Sequence, residues 1–302
     1  MLRLEDATKV YKVGTFGHSA LTAANKVSFD VAPGEVVSLI GESGSGKTTV
    51  GRMILRLTRA SSGTITFDGV DIATLGGKKI RAYYSKVQGV FQDPFSSYNP
   101  IFKADRVFEL IHDSYFPHMH GKEWSSKVEH AVESVSLNPS EVLNKYPHQL
   151  SGGQLQRLLI ARALLLDIQI LVADEIISML DASTRIDVLN LLGDLKERGL
   201  GIIFITHDLA LGNYISEKTV ILRRGAIVEM GATAKVFGNP VHAYTKSLLA
   251  SVPQLHTKWK DVDAVLEAPE PARGGTAPPD GDRATLVEVE ADHLVALDEA
   301  GP

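Results

Sequence analysis

The chain has 302 residues, 44% of them hydrophobic and 22% charged, which is the composition of a globular protein with material for a substantial core. A net charge of -5 without a clustered basic patch argues against a nucleic-acid surface. The absence of cysteine excludes disulfides, thiolate catalysis and cysteine-ligated metals, iron–sulfur clusters included.

The mixed, acidic start Met1-Leu2-Arg3-Leu4-Glu5-Asp6 does not read as an export signal. Val27-Ser28-Phe29-Asp30-Val31 and Glu35-Val36-Val37-Ser38-Leu39-Ile40 read as strands. The second runs into the glycine-rich stretch 41–48, and a helical pattern over 49–57 follows. Thr64-Ile65-Thr66-Phe67 alternates like a strand and ends in the turn Asp68-Gly69. Residues 104–113, 122–135 and 155–166 read as helices. Arg162 interrupts the longest apolar run, so none reaches the ~18–20 residues of a spanning helix. The chain is therefore expected to be soluble by itself, with any membrane role coming through partners. Ile170-Leu171-Val172-Ala173 and Ile202-Ile203-Phe204-Ile205-Thr206 are short apolar runs that suit strands buried on both faces of a parallel sheet. Antiparallel pairs are expected at the N-terminus and over 218–230. Strand and helix signals alternate through the first 250 residues, so the fold class is α/β. Residues 256–302 read as an extension, with a Pro-, Gly- and Ala-rich linker over about 267–283 and one edge strand over 285–291.

Gly41-Glu42-Ser43-Gly44-Ser45-Gly46-Lys47-Thr48 matches G-x-x-x-x-G-K-[ST] between a strand and a helix. Its glycines let backbone N–H groups turn inward around phosphate at the positive end of the helix dipole, with Thr49 at the helix start. Lys47 is expected to contact the β- and γ-phosphates and the Thr48 hydroxyl to ligate Mg²⁺. Asp174-Glu175 closes a strand too apolar to bury two acids, so both are expected at its exposed end, facing a cation. Asp174 would hold Mg²⁺ through a water, and Glu175 would orient or deprotonate the attacking water. His207 ends the next apolar strand, where it can sense the γ-phosphate. A lone histidine is more often structural, but its place beside the other strand ends favours the functional role.

Leu150-Ser151-Gly152-Gly153-Gln154 is identical to the signature motif of ABC (ATP-binding cassette) ATPases. That resemblance implies a P-loop ATPase with a RecA-like core, an N-terminal antiparallel β subdomain and an α-helical signature subdomain. It would place the cassette over residues 1–255, with the helical part at about 93–165. It also implies a head-to-tail dimer in which one subunit's Ser151, Gly152, Gly153 and Gln154 cap the ATP held by the other's P-loop. Gln92 in Phe91-Gln92-Asp93-Pro94 resembles the Q-loop glutamine that touches Mg²⁺ and the lytic water and moves with the permease. Asp181 in Ser178-Met179-Leu180-Asp181 resembles the D-loop aspartate, and Tyr11, with Phe16 nearby, the aromatic that stacks on adenine.

A narrower resemblance, to the dipeptide/oligopeptide/nickel importer branch, covers nearly the whole chain. It is carried by Phe91-Gln92-Asp93-Pro94-Phe95-Ser96-Ser97-Tyr98-Asn99-Pro100, by Asn239-Pro240-Val241-His242-Ala243-Tyr244-Thr245, by Ser247-Leu248-Leu249-Ala250-Ser251-Val252-Pro253 and by His293-Leu294-Val295-Ala296. It implies an importer of two different ATPases, two transmembrane permeases and an extracytoplasmic solute-binding protein, with this chain as the second ATPase. The place implied is peripheral, on the cytoplasmic face of a bacterial inner membrane. Ile176-Ile177 stands where the family usually has Pro-Thr, which bears on turn rigidity rather than on chemistry. Ser178-Met179 in that turn also resembles importers of oligosaccharides such as β-glucosides, so peptide and sugar cargoes both stay open. A soluble ABC ATPase usually has tandem cassettes or a long coiled coil, whereas this chain has one P-loop, one signature and no sustained heptads. The C-terminal extension reads either as a linker plus a strand tucked onto the cassette or a partner, or as a regulatory element.

Overall fold

A computed structural model describes residues 1–13, 19–251 and 285–296; Phe16 and the expected linker lie outside the described residues. The chain begins with β1 (Leu2–Val13), β2 (Ser19–Val31) and β3 (Val36–Ile40), then α1 (Lys47–Ile54). Next come β4 (Ser62–Phe67), β5 (Val70–Asp71), α2 (Lys78–Tyr84) and β6 (Val87–Val90). A helical stretch follows: α3 (Arg106–Tyr115), α4 (Lys122–Glu133), α5 (Pro139–Val142) and α6 (Gly152–Leu164). Strand and helix then alternate as β7 (Ile170–Asp174), α7 (Ala182–Glu197), β8 (Gly201–Thr206) and α8 (Leu209–Ile215). The last elements are β9 (Lys218–Arg223), β10 (Ala226–Ala232), α9 (Thr233–Gly238), α10 (Ala243–Ala250), β11 (Leu286–Glu290) and β12 (His293–Ala296).

Two compact units divide the chain, residues 1–75 with 203–302 and residues 76–202, and the division falls inside β8. The first unit holds an antiparallel sheet in the order β2-β1-β4-β5. Alternate residues Leu2, Leu4, Val27, Phe29 and Val31 are buried on one face of it, the period-two pattern of a sheet with one wet side. A second sheet in this unit runs β11-β12-β10-β9-β3-β8. In it β3 lies parallel to β9, from Val37 opposite Lys218 to Ile40 opposite Ile221. Every residue of β3 and β8 is buried, which is why both read as unbroken apolar runs. The expected C-terminal edge strand is β11, and it reaches the sheet through β12, which sequence periodicity did not reveal.

Helix α1 starts two residues before the expected position and stops at Ile54 rather than Leu57. Arg56 takes a φ of +52°, and the N–H groups of Leu57 and Thr58 both return to the Arg52 carbonyl, a left-handed stop that ends the helix. In the second unit β6 and β7 pair in parallel, from Val87 opposite Ile170 to Val90 opposite Ala173. Around this pair stand α2 to α7; α4 buries Val128, Ala131 and Val132, a stripe at i, i+3 and i+4, and packs on α6. Among the described residues no helix is long and apolar enough to cross a membrane.

Candidate nucleotide-binding site

In the first unit β3 delivers the chain into the phosphate loop, and the loop closes on Lys47. That side chain is only 4% exposed; its Nζ donates to the carbonyls of Gly41 at 2.7 Å and Glu42 at 2.8 Å, and lies 3.4 Å from Ser45 Oγ. The backbone alternates into left-handed conformations at Gly44 (φ +81°) and Gly46 (φ +105°), the arrangement that aims successive N–H groups at one point. A Cβ at position 46 would sit 2.2 Å from the Ala23 carbonyl oxygen, so the loop admits only glycine there. No side chain caps α1 and no acid lies in its first turn, which leaves the helix terminus suited to an anion at Thr48 and Thr49. Ser43 and Gly44 are exposed at the rim.

His207 stands exposed immediately after β8. Its backbone is fixed from the next residue onward, because Asp208 Oδ1 accepts from the N–H groups of Ala210 (2.9 Å) and Leu211 (3.3 Å) and so caps α8. Tyr11 lies half-buried on β1 opposite Leu21, itself 56% exposed, and the Lys9 ammonium is 5.1 Å from the ring centroid. This open aromatic surface suits a flat ring.

In the second unit β7 is buried to its last residue, so the expected exposed end is not found at Asp174, which is 5% exposed, while Glu175 is half-buried. The chain turns at Glu175, whose φ of +51° costs a non-glycine residue roughly 1 kcal/mol. Ser178 holds the turn through its N–H (3.1 Å) and Oγ (2.9 Å), both on the Glu175 carbonyl. Ile176 and Ile177 are 1% and 2% exposed and anchor the turn by burial. Arg185 clamps its far side, Nε on the Leu180 carbonyl at 2.8 Å and Nη2 on that of Ser178 at 3.2 Å. The residues standing in place of Pro-Thr thus belong to the core, and the turn is held by hydrogen bonds.

Gln92 is exposed on the loop after β6. Three side chains tie that stretch to α6 or bridge back from it: Tyr98 Oη donates to the Leu155 carbonyl (3.0 Å), Gln156 Nε2 to that of Phe91 (3.4 Å) and Arg162 Nη2 to that of Gly89 (3.0 Å). Burial pushes the Arg162 guanidinium below its ordinary pKa and the Tyr98 hydroxyl above its own. None of these three, nor Arg185, was given a role at the site from sequence. The available signal was Gln156 and Arg162 inside an otherwise apolar helical run.

The signature motif forms the start of α6. Ser151 Oγ accepts from Gln154 N–H (3.2 Å) while Gln154 Oε1 accepts from Ser151 N–H (2.9 Å), a capping box. Gly152 and Gly153 occupy the first two helical positions at the positive end of the dipole. A Cβ on Gly153 would lie 2.4 Å from Thr184 Cγ2, and one on Gly152 would touch Leu180 and Phe95, both at 3.8 Å. The stretches that resemble signature, D-loop and Q-loop therefore meet in this unit. Asp181 caps α7, accepting from Thr184 N–H (3.0 Å), Thr184 Oγ1 (2.9 Å) and Ser183 Oγ (2.7 Å). The Ser183 and Thr184 hydrogen bonds hold its carboxyl far below the usual range.

The donors fit the groups expected of them. In the first unit Thr48 offers a hydroxyl; in the second, Gln92 offers an amide oxygen and Asp174 a carboxylate, and each by itself is a hard oxygen of the kind Mg²⁺ prefers. The loop amides and Lys47 offer the positive field a polyphosphate needs.

These features define a P-loop nucleotide-binding protein. The sequence pattern described as ABC transporter matches residues 24–178, and that described as oligopeptide/dipeptide transporter, C-terminal region, matches residues 228–276. A putative peptide import ATP-binding protein of Brucella ovis is 41% identical over 267 residues, covering 87% of this chain and 82% of that protein. A glutathione import ATP-binding protein of Shigella flexneri is 44% identical over 234 residues, 76% of this chain and 37% of that protein. Among solved structures, the dimeric ATP-binding cassette MJ0796, in a post-hydrolysis state bound to ADP and Pi, superposes with a TM-score of 0.69 at 29% identity. It covers 77% of this chain and 99% of that one. The cbiO1 subunit of the Clostridium perfringens cbiONQ complex gives a TM-score of 0.67 at 25% identity, over 79% and 90% of the two chains. The chain belongs to the ABC transporter family.

The capping box carries a stability consequence. Ser151→Ala, by removing the α6 cap, should cost about 1 kcal/mol of unfolding free energy in a urea titration; an unchanged midpoint would show the cap to be dispensable.

Proposed function

We propose that this chain is the ATP-hydrolysing subunit of a binding-protein-dependent importer of short peptides. The carrying observation is one chain that joins a complete phosphate loop and signature motif to the oligopeptide/dipeptide transporter C-terminal pattern over 228–276. The import names of the Brucella and Shigella relatives support the same reading.

In this reading Lys47 exchanges its loop carbonyls for the β- and γ-phosphates, and the amides of residues 43–49 surround the phosphate oxygens. Tyr11 stacks on the adenine. Thr48, Gln92 and, through a water, Asp174 are the residues that would hold Mg²⁺. When bound, the metal neutralises charge on the phosphate oxygens. Glu175 orients the attacking water and takes its proton, and His207 holds the γ-phosphate as a sensor of its presence. The open amides at the start of α6 suit the nucleotide of an opposing subunit, because a helix N-terminus attracts phosphate. That opposing subunit is a second, different ABC ATPase arranged head to tail, with Asp181 presented toward it. The pair drives two permeases on the cytoplasmic face of the inner membrane, fed by an extracytoplasmic solute-binding protein. Residues about 93–165, the helical subdomain of a cassette spanning 1–255, receive the permease and pass on the motion of Gln92 as a rigid-body rotation.

Glu175→Gln should keep ATP binding and lower hydrolysis by about 10²- to 10⁴-fold, the usual contribution of a general base. Undiminished turnover would remove Glu175 from that role. In the whole complex with its binding protein, peptides should stimulate ATP hydrolysis; stimulation by oligosaccharides alone would keep the engine and change the cargo.

A further inference from the structure

The C-terminal part of the first unit carries polar chemistry that nucleotide binding leaves unused. Glu229 on β10 and His293 on β12 are both fully buried, and His293 Nε2 lies 2.7 Å from Glu229 Oε1. The same carboxylate accepts the backbone N–H of Val241 at 2.9 Å and of His242 at 3.0 Å. Three donors on one buried carboxylate offset the desolvation that would otherwise exclude it. The network fixes the start of α10, where His242 Nδ1 accepts from Tyr244 N–H at 3.0 Å. Tyr244 is thereby set in a core with Ile40, Leu209, Ile221 and Ala296, and the Arg223 guanidinium lies 4.9 Å from its ring centroid.

The tyrosine hydroxyl is aimed at the phosphate loop. It accepts from the Glu42 N–H at 3.1 Å. That N–H belongs to the peptide plane whose carbonyl is Gly41's, and the Gly41 carbonyl accepts from Lys47 Nζ at 2.7 Å. One peptide plane is therefore pinned on one edge by Tyr244 and on the other by the lysine that reaches for phosphate. When Lys47 leaves for a nucleotide, the Tyr244 bond is the one that keeps this plane from rotating and turning a carbonyl toward the phosphates.

We propose that Tyr244 is a positioning residue for the phosphate loop, holding the Gly41–Glu42 peptide plane so that the loop meets nucleotide already formed. Its structural part stands on the hydrogen bonds above, and its consequence for turnover rests on the ATPase reading. The anchorage of α10 through Glu229 and His293 makes β12 part of the support. A preformed loop spends less of its binding energy on ordering, so the effect belongs in nucleotide affinity rather than in the chemical step.

Tyr244→Phe in the full-length chain tests this, because it removes the hydroxyl and leaves the ring, its core contacts and the Arg223 contact. In the nucleotide-free protein, amide hydrogen exchange in the phosphate-loop peptide should speed up while β9 and β10 exchange as before. In steady-state hydrolysis the KM for ATP should rise about fivefold, the scale of one lost hydrogen bond, with kcat kept. Unchanged exchange in the loop overturns the proposal, and so does a lower melting temperature or kcat with KM unaltered, which would make Tyr244 merely structural. If the unmodified protein assembled with its partner ATPase hydrolyses no ATP, the ATPase reading falls and the exchange result alone decides whether Tyr244 holds the loop.

Discussion

The Lys47 ammonium is almost wholly withdrawn from water, and two carbonyls of its own loop, Gly41 and Glu42, take the place of solvent. A buried cation is tolerated only where oxygen dipoles surround it. The loop therefore has to fold around the lysine, and the neighbouring features follow from that need. Gly46 takes the conformation that lets the chain pass Ala23, α1 begins at the lysine without a capping side chain, and β3 is buried end to end to fix where the loop starts. The arrangement is also poised, since a polyphosphate offers the ammonium stronger acceptors than neutral carbonyls do.

Helix starts in this chain are satisfied in two ways, by a capping side chain or by leaving the terminal amides open. In the second unit, Ser151 and Asp181 spend their side chains on capping α6 and α7, and Asp208 does the same for α8 in the first. Only α1, among these four, starts without a side-chain cap. A cap satisfies donors that an anion would otherwise occupy; α2, α3, α4 and α9 also lack one, and what sets α1 apart is that its uncapped start follows the glycine-rich loop and carries Lys47. At the signature the cap comes from Ser151 and Gln154, while the two glycines between them keep the backbone bare on the approach side.

Much of this was legible in the sequence because the relevant signals are local. A glycine-rich turn between a buried strand and a helix, an apolar strand ending in Asp174-Glu175 and an exact signature motif each carry their geometry in a few neighbouring residues. The α/β architecture followed from alternating apolar runs. What stayed hidden depends on long-range pairing. Strand β12 has only four residues, and it joins the sheet by pairing with β10, some sixty residues earlier in the chain. Tyr98 acts on a carbonyl of α6 and Gln156 on one of the loop after β6, and Tyr244 acts on a residue some two hundred positions away. The Ile176-Ile177 substitution was visible, but its meaning was not, because only burial distinguishes an anchored turn from a loosened one.

The most direct test of the account is calorimetric titration of the purified full-length chain with MgATP, set against Lys47→Ala. The account predicts saturable binding by the unmodified chain and at least a tenfold loss of affinity in the variant, about 1.4 kcal/mol. Equal affinity in the two proteins would contradict it, since the loop would then hold nucleotide without the residue around which it is folded.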